Sequence, residues 1–149
     1  MIKLQSHYLT RVYNPRQFKV IVRNTLEIAK QVDEKSKYDT IAFTGQSGSA
    51  LAYILAHSLN KKMICVRKDS DNSHYFTDSG NNFEGYVNAK KYIIVDDFIC
   101  SGESIDKIVQ TVQAKIPKAK CVGILLYSRR TEETSIGGYN GIPTYATRK

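Results

Sequence analysis

Four short, unbroken apolar runs do most to limit the folds open to this chain. They are Ile41-Ala42-Phe43, Met63-Ile64-Cys65-Val66, Tyr92-Ile93-Ile94-Val95, and Cys121-Val122-Gly123-Ile124-Leu125-Leu126-Tyr127. None alternates apolar with polar residues, so each needs cover on both faces, as strands of a parallel sheet do. The stretches between them carry helical periodicity. Phe18, Ile21, Val22, Thr25, Ile28, Ala29 and Val32 mark a helix after Pro15. A second helix runs from about Ser49 to Leu59. A third, marked by Ile105, Ile108, Val109, Val112 and Ile116, must stop before Pro117. Strands alternating with helices predict an α/β fold, a Rossmann-like parallel sheet flanked by helices. The 149 residues fit a single domain spanning 1–149.

Two segments fall outside this pattern. Lys68 to Lys91 is polar and rich in Asp, Asn, Ser and Gly. It exceeds the roughly 12–15 residues beyond which a loop is usually a lid or a binding loop. A short hairpin is expected around Asp78-Ser79-Gly80-Asn81, where Tyr75-Phe76 and Phe83 flank a turn signal. The tail from Ser128, with Gly137, Gly138, Gly141 and Pro143, reads as irregular chain capping one end of the sheet.

Composition removes several classes of function. The apolar runs are too short to cross a bilayer, and the first residues lack the apolar core of a signal peptide, so no membrane partner is expected. Cys65, Cys100 and Cys121 form no C-x-x-C pair, which argues against a zinc site or disulfide framework and for a reducing, cytoplasmic setting. A net charge of +8 favours anions, either nucleic acid or a phosphate-rich small molecule. Along the chain the bases occur only as pairs (Lys61-Lys62, Lys90-Lys91, Arg129-Arg130, Arg148-Lys149), a pattern equally suited to a solvated surface. Nucleic acid is therefore not the expected partner.

In parallel α/β sheets ligands bind beyond the carboxyl ends of the strands. That rule gathers Thr44–Gly48, the loop opening at Arg67 and the segment Asp96–Ser104 into one crevice. Cys100-Ser101-Gly102-Glu103-Ser104 lies between a strand and a helix, where backbone N–H groups and the helix dipole favour a phosphate. Ser101 and Ser104 can add hydroxyl donors or serve as helix caps. No G-x-x-x-x-G-K-[ST] and no G-x-G-x-x-G occurs. Paired acids also follow a strand in response-regulator receivers, but there the pair belongs to the first strand. Asp96 and Asp97, set just before the cradle, suit a ligand with a sugar between charged groups. They can accept hydrogen bonds from ribose hydroxyls, hold water on a Mg²⁺ bridging ribose and diphosphate, and favour positive charge developing at an anomeric carbon. Asp69, Asp71 and Ser73 do not complete a calcium loop, because His74 stands at the glycine position and no closing Glu follows.

With those residues in view, Tyr92 to Ser104 resembles the phosphoribosyl-diphosphate (PRPP) signature of the type I phosphoribosyltransferases. Four apolar residues are followed by two acids, two apolar residues and a small-residue loop with a central glycine. The resemblance implies that Asp96 and Asp97 are catalytic and bind the ribose hydroxyls. It implies that Cys100, Ser101, Gly102, Glu103 and Ser104 bind the 5′-phosphate. Thr44, Gly45, Gln46, Ser47 and Gly48 resemble the family's diphosphate loop, and Arg67-Lys68 resembles the opening of the lid in orotate and adenine phosphoribosyltransferases. His74 falls near a lid histidine of the orotate enzymes, or is an exposed loop residue.

The family further implies Mg²⁺ carried by PRPP, with no direct protein ligand, a nucleobase as second substrate, and a lid over about 68–91. A small hood would come from the N-terminal residues and 128–149. In some relatives the lid serves a neighbouring subunit, which is compatible with a homodimer. Two departures stand out. Phe98 is bulkier than the usual aliphatic, and Cys100 stands where members have Thr, Ala or Asp, so it reads as a small filler rather than a nucleophile. Tyr127, Arg129, Arg130, Tyr139 and Tyr145 are available to a base but read first as packing and surface residues. The function expected is transfer of ribose 5-phosphate from PRPP to a base with release of diphosphate; the alternative is a non-catalytic PRPP-binding regulatory protein, for which the net charge of +8 allows a nucleic-acid partner.

Overall fold

The computed structural model describes residues 9–68, 82–128 and 138–147. A six-stranded sheet is wrapped by helices in the order α1 (Thr10–Tyr13), α2 (Pro15–Ser36), β1 (Thr40–Phe43), α3 (Gly45–Leu59), β2 (Lys62–Val66), β3 (Phe83–Gly85), β4 (Lys91–Asp96), α4 (Glu103–Lys115), β5 (Lys120–Leu126) and β6 (Thr144–Ala146). The strand order is β3-β2-β1-β4-β5-β6. All neighbours are parallel except β2 and β3. Among the described residues no helix is long and apolar enough to cross a membrane.

The helices form where capping and periodicity agree. Asn14 Oδ1 accepts the amides of Arg16 (3.1 Å) and Gln17 (3.3 Å), and Pro15 opens α2 where a missing N–H costs nothing. Ile21, Thr25, Ala29 and Val32 of α2 are buried, a single stripe at helical spacing. Lys37 and Asn60 take left-handed backbone (φ 54° each) to end α2 and α3.

The apolar runs lie in the middle of the sheet because both faces are covered. Ile41, Phe43, Ile93 and Val95 point into one core with α2 and α3. Ala42, Tyr92, Ile94 and Ile124 point into the other, where Ile105, Ile108 and Val112 of α4 close over them. Burial from two sides leaves no position for a polar residue until the strands emerge at their carboxyl ends.

Three details differ from the sequence expectation. The helix expected from Ser49 begins at Gly45, so most of the anticipated Thr44–Gly48 loop is the first turn of α3. Residues 144–146, expected to be irregular, pair with β5 as a parallel edge strand. Three residues after a proline show too little periodicity to be read as a strand. Phe83, expected beside a hairpin turn, starts β3, which pairs antiparallel with β2. The turn itself, 78–81, lies outside the described residues.

Gly48 fixes how closely α3 approaches the sheet. A Cβ added there would meet Phe43 Cβ at 3.0 Å and the Val95 carbonyl at 3.1 Å. Both are held by strands at the centre of the sheet. Gly48→Ala is expected to lower stability by about 1–3 kcal/mol, the range for overpacking a filled core. Urea unfolding followed by circular dichroism checks this; a midpoint equal to the wild type would contradict it.

Candidate functional site

The carboxyl ends of β1, β2 and β4 deliver their next residues into one cavity of about 610 Å³. Its floor is Asp96 and Asp97, one wall is Gly45, Gln46 and Ser47, and the facing wall is the segment from Phe98 to Ile105. Lys68, at the start of the long polar segment, and Leu9, before α1, also line it. Each of the three expected segments contributes lining residues, the loop opening at Arg67 through Lys68 alone among the described residues.

The two carboxylates are almost wholly shielded, with Asp96 6% and Asp97 7% exposed. Asp96 Oδ1 accepts the Asp97 amide at 2.9 Å and the Ser47 hydroxyl at 3.1 Å. Asp97 Oδ1 accepts the Phe98 amide at 2.8 Å. These donors do not offset the loss of water at Asp96. Burial, followed by the hydrogen bond to the Asp97 side chain and the Asp97 charge, pushes its carboxyl up to about 7, while the bonds from the Asp97 amide and Ser47 pull the other way.

Below them Tyr127 is 1% exposed, and its hydroxyl donates to the Ser47 carbonyl. Burial, then the charges of Asp97 and Asp96, raise the phenol above its ordinary value, so it stays a donor. Backbone bonds from Tyr127 N to Asp96 O (3.2 Å) and from Ser128 N to Asp97 O (2.8 Å) carry the β4–β5 ladder past the acids.

Two helix N-termini open on either side of this floor, each with first-turn amides that have no acceptor within the helix. At α3, Gly45 has φ +64°, and a Cβ there would come within 3.2 Å of Lys68 Cε and 3.3 Å of its Nζ. The lysine ammonium therefore lies over the positive end of α3, a place suited to a strongly charged anion. At α4, Gly102 has φ +83°, and a Cβ would fall 2.0 Å from the Tyr139 hydroxyl. That hydroxyl donates to Asp106 Oδ1 at 2.9 Å, pinning the chain after residue 138 against the loop. Ser101 Oγ, one residue before the Gly102 N-cap, accepts the Glu103 amide at 3.3 Å in a local serine turn, with the hydroxyl proton left to donate.

Other expected residues have structural places. Thr44 Oγ1 donates to the Val66 carbonyl at 2.6 Å, tying the end of β1 to β2, and Gly48 seats α3 against Phe43 and Val95. Arg67 Nε donates to Glu84 Oε2 at 2.9 Å, directing it along β3, so Lys68 rather than Arg67 reaches the cavity wall. Cys100 is a free, exposed thiol on the wall. Tyr127 is a buried support rather than a stacking surface, and Tyr145 packs against the core at the edge of the sheet. His74, Arg129 and Arg130 lie outside the described residues. Leu9 carries no sequence signal for a site, and Tyr139 meets Gly102 only through contacts 37 residues apart.

Two outcomes follow from this geometry. Because the folded-state value of Asp96 lies above the ordinary 3.8, folding is opposed once the unfolded chain ionises. The contribution is harmless below about pH 4, grows as pH rises and is complete above about pH 7, on the order of a few kcal/mol. Removing the charge with Asp96→Asn should therefore stabilise the ligand-free protein at pH 8 relative to wild type, and less so at pH 5. Urea titrations of both proteins across that range check the sign. Gly102→Ala combines left-handed backbone, a cost of about 1–2 kcal/mol, with a collision at Tyr139. It should destabilise the protein and weaken phosphate binding in the cavity, readable by calorimetry with inorganic phosphate.

A family model described as PRTase-CE matches residues 5–146. No curated protein matches the chain. Among solved structures, the chain is similar to adenine phosphoribosyltransferase from Saccharomyces cerevisiae, complexed with D-2,5-dideoxy-2,5-imino-altritol 1,6-bisphosphate and adenine, at 20% identity and TM-score 0.65, covering 90% of this chain and 80% of that one. It is similar to adenine phosphoribosyltransferase from Thermoanaerobacter pseudethanolicus at 16% identity and TM-score 0.63, covering 91% and 82%. It is also similar to orotate phosphoribosyltransferase from Aeropyrum pernix at 18% identity and TM-score 0.57, covering 77% of this chain and 60% of that one. At these identities the likeness is one of fold.

Proposed function

Since the chain belongs to the PRTase-CE family, we propose that it transfers the 5-phosphoribosyl group of PRPP to a nitrogenous base and releases diphosphate. The observation that carries this reading is the buried Asp96–Asp97 pair lying between two helix N-termini in one cavity. A sugar with a phosphate at each end fits that order of groups. The α4 loop from Cys100 to Ser104 takes the 5′-phosphate on backbone amides, with Gly102 keeping the loop free of side-chain bulk. The first turn of α3, with Lys68 above it, takes the diphosphate. Asp96 and Asp97 accept the ribose hydroxyls and so gain the hydrogen bonds that burial denied them.

In the reaction the bond from the anomeric carbon to diphosphate oxygen breaks and its electron pair leaves with diphosphate. A base nitrogen forms the new bond and gives up its N–H proton, which leaves with the diphosphate or to solvent. The carboxylates, themselves buried, sit where positive character at the sugar ring is stabilised. Among the described residues no cluster of three or more side chains could hold a metal by itself. Two adjacent buried carboxylates fit an ion that arrives with the ligand and keeps its water, and Mg²⁺ bound in this way would neutralise the departing diphosphate.

Cys100, at a position where the resembled enzymes carry Thr, Ala or Asp, favours one second reading: a protein that binds PRPP without turning it over. Incubation with PRPP, Mg²⁺ and purine, pyrimidine and pyridine bases separates the two, since only the transferase releases diphosphate in a base-dependent manner. Asp96→Asn combined with Asp97→Asn is expected to lower that release by at least about 100-fold with the fold intact by circular dichroism. Undiminished release by the double variant would overturn the assignment, and PRPP binding without release would favour the second reading.

A further inference from the structure

The cavity uses the carboxyl end of the sheet, and the opposite end holds most of the lysine in the chain. Register pairs Thr40 with Lys62 and Lys91 with Lys120 at the strand starts. Backbone bonds lock the preceding loops together: Lys62 N to Asp39 O at 3.0 Å, Asp39 N to Lys91 O at 2.9 Å, and Lys120 N to Lys90 O at 2.9 Å. Pairs that are separate in sequence, Lys61-Lys62 and Lys90-Lys91, thereby become neighbours, continued by Lys118 and Lys120. The helices return to the same edge, adding Lys35 and Lys37 from the end of α2 and Lys115 from the end of α4.

Nine of the 15 lysines thus stand at one edge, against three acids, Asp33, Glu34 and Asp39. Two of those acids are already engaged. Asp33 holds Lys61 at 2.8 Å, and the Asp39 carboxylate accepts the Lys90 and Lys91 amides and the Thr40 hydroxyl. Seven of the nine lysines are exposed. Helix C-termini attract cations, which accounts for Lys35 and Lys115 and for Lys91 Nζ on the Ser36 carbonyl. It does not account for Lys90, Lys118 and Lys120, which lie on loops and a strand start.

Beside this row stands an open aromatic ring. β3 runs antiparallel and so ends at the lysine edge, where Tyr86 is 56% exposed, with Lys62 Nζ 5.7 Å from its ring centroid. A line of cations next to a solvent-facing ring is what a single strand needs, phosphates on the charges and a base on the ring. We propose that this edge docks single-stranded nucleic acid, with the backbone along Lys62, Lys90, Lys118 and Lys120 and one base stacked on Tyr86. The surface lies about 16 Å from the cavity, the length of β4 from Lys91 to Asp96, and the proposal is independent of the transferase reading.

Fluorescence anisotropy of a labelled oligothymidylate, titrated at stepped salt concentrations, tests it. Wild type should bind with a linear fall of log affinity against log salt. The variant Lys90→Glu/Lys118→Glu/Lys120→Glu should lose at least about ten-fold in affinity, and its salt slope should shrink by about 2, each single-strand phosphate contact contributing roughly 0.7. The corresponding triple change to Arg should restore binding, which separates charge from misfolding. Tyr86→Ala should lose roughly ten-fold with the slope unchanged. Absence of binding, wild-type behaviour of the Glu variant, displacement of the strand by PRPP, or tighter binding to phosphatidylserine vesicles than to the strand would each overturn the proposal.

Discussion

Two carboxylates kept out of water at the end of a buried strand set the terms for the rest of the site. Asp96 and Asp97 follow four residues that pack on both faces of the sheet, so they cannot swing out to solvent without pulling the strand with them. The chain answers with short donors supplied from nearby: the amides of Asp97 and Phe98, and the Ser47 hydroxyl from across the cavity. Ser47 is itself positioned by Tyr127, whose hydroxyl takes the Ser47 carbonyl from below. The first turn of α3, the end of β4 and the end of β5 are therefore linked through one tyrosine, one serine and one aspartate. Even so, burial outweighs those bonds at Asp96, whose carboxyl titrates near 7. A carboxylate held out of water in the free protein gains when a polar ligand adds further donors.

The two helix N-termini that wall the cavity depend on different glycine properties. At Gly102 the backbone is left-handed and the space beside it is filled by Tyr139, so shape and conformation both demand the missing side chain. At Gly45 the backbone is also left-handed, but the neighbouring atoms are the far end of Lys68, a group that can move. The α4 wall is thus rigidly formed before any ligand arrives. The α3 wall is bordered by the far end of the long Lys68 side chain.

The order of strands and helices was legible because the apolar runs are continuous and the helical stripes regular, and Asp96-Asp97 was legible because acids directly after such a run require a reason. The edge strands were not. Phe83-Glu84-Gly85 and Thr144-Tyr145-Ala146 are each three residues with no alternation to speak of, and they pair only because a central strand offers an unfilled edge. The start of α3 was hidden for a related reason: glycine and serine look like a loop locally, and their helical geometry comes from packing Gly48 against Phe43 and Val95. Tyr127 and Tyr139 read from sequence as packing and surface residues, or as available to a base, without their partners, because Ser47 and Asp106 are 80 and 33 residues away. Contacts at such separation leave no periodic trace.

The same topology sets different backbone fields at the two ends of the sheet. In a parallel α/β layer every helix runs back against the strands, so helix N-termini gather at the strands' carboxyl ends and helix C-termini at their amino ends. At the cavity the peptide dipoles themselves attract phosphate, and few cations are needed: among the lining residues described, Lys68 is the lysine present. At the far edge the dipoles point the wrong way, and any anion held there must be held by side chains. A row of lysines exceeding what the helix ends and three acids can absorb is therefore harder to explain as local compensation than the single lysine at the cavity. Among the described residues, lysine is gathered at the end of the sheet where backbone dipoles do not favour anions.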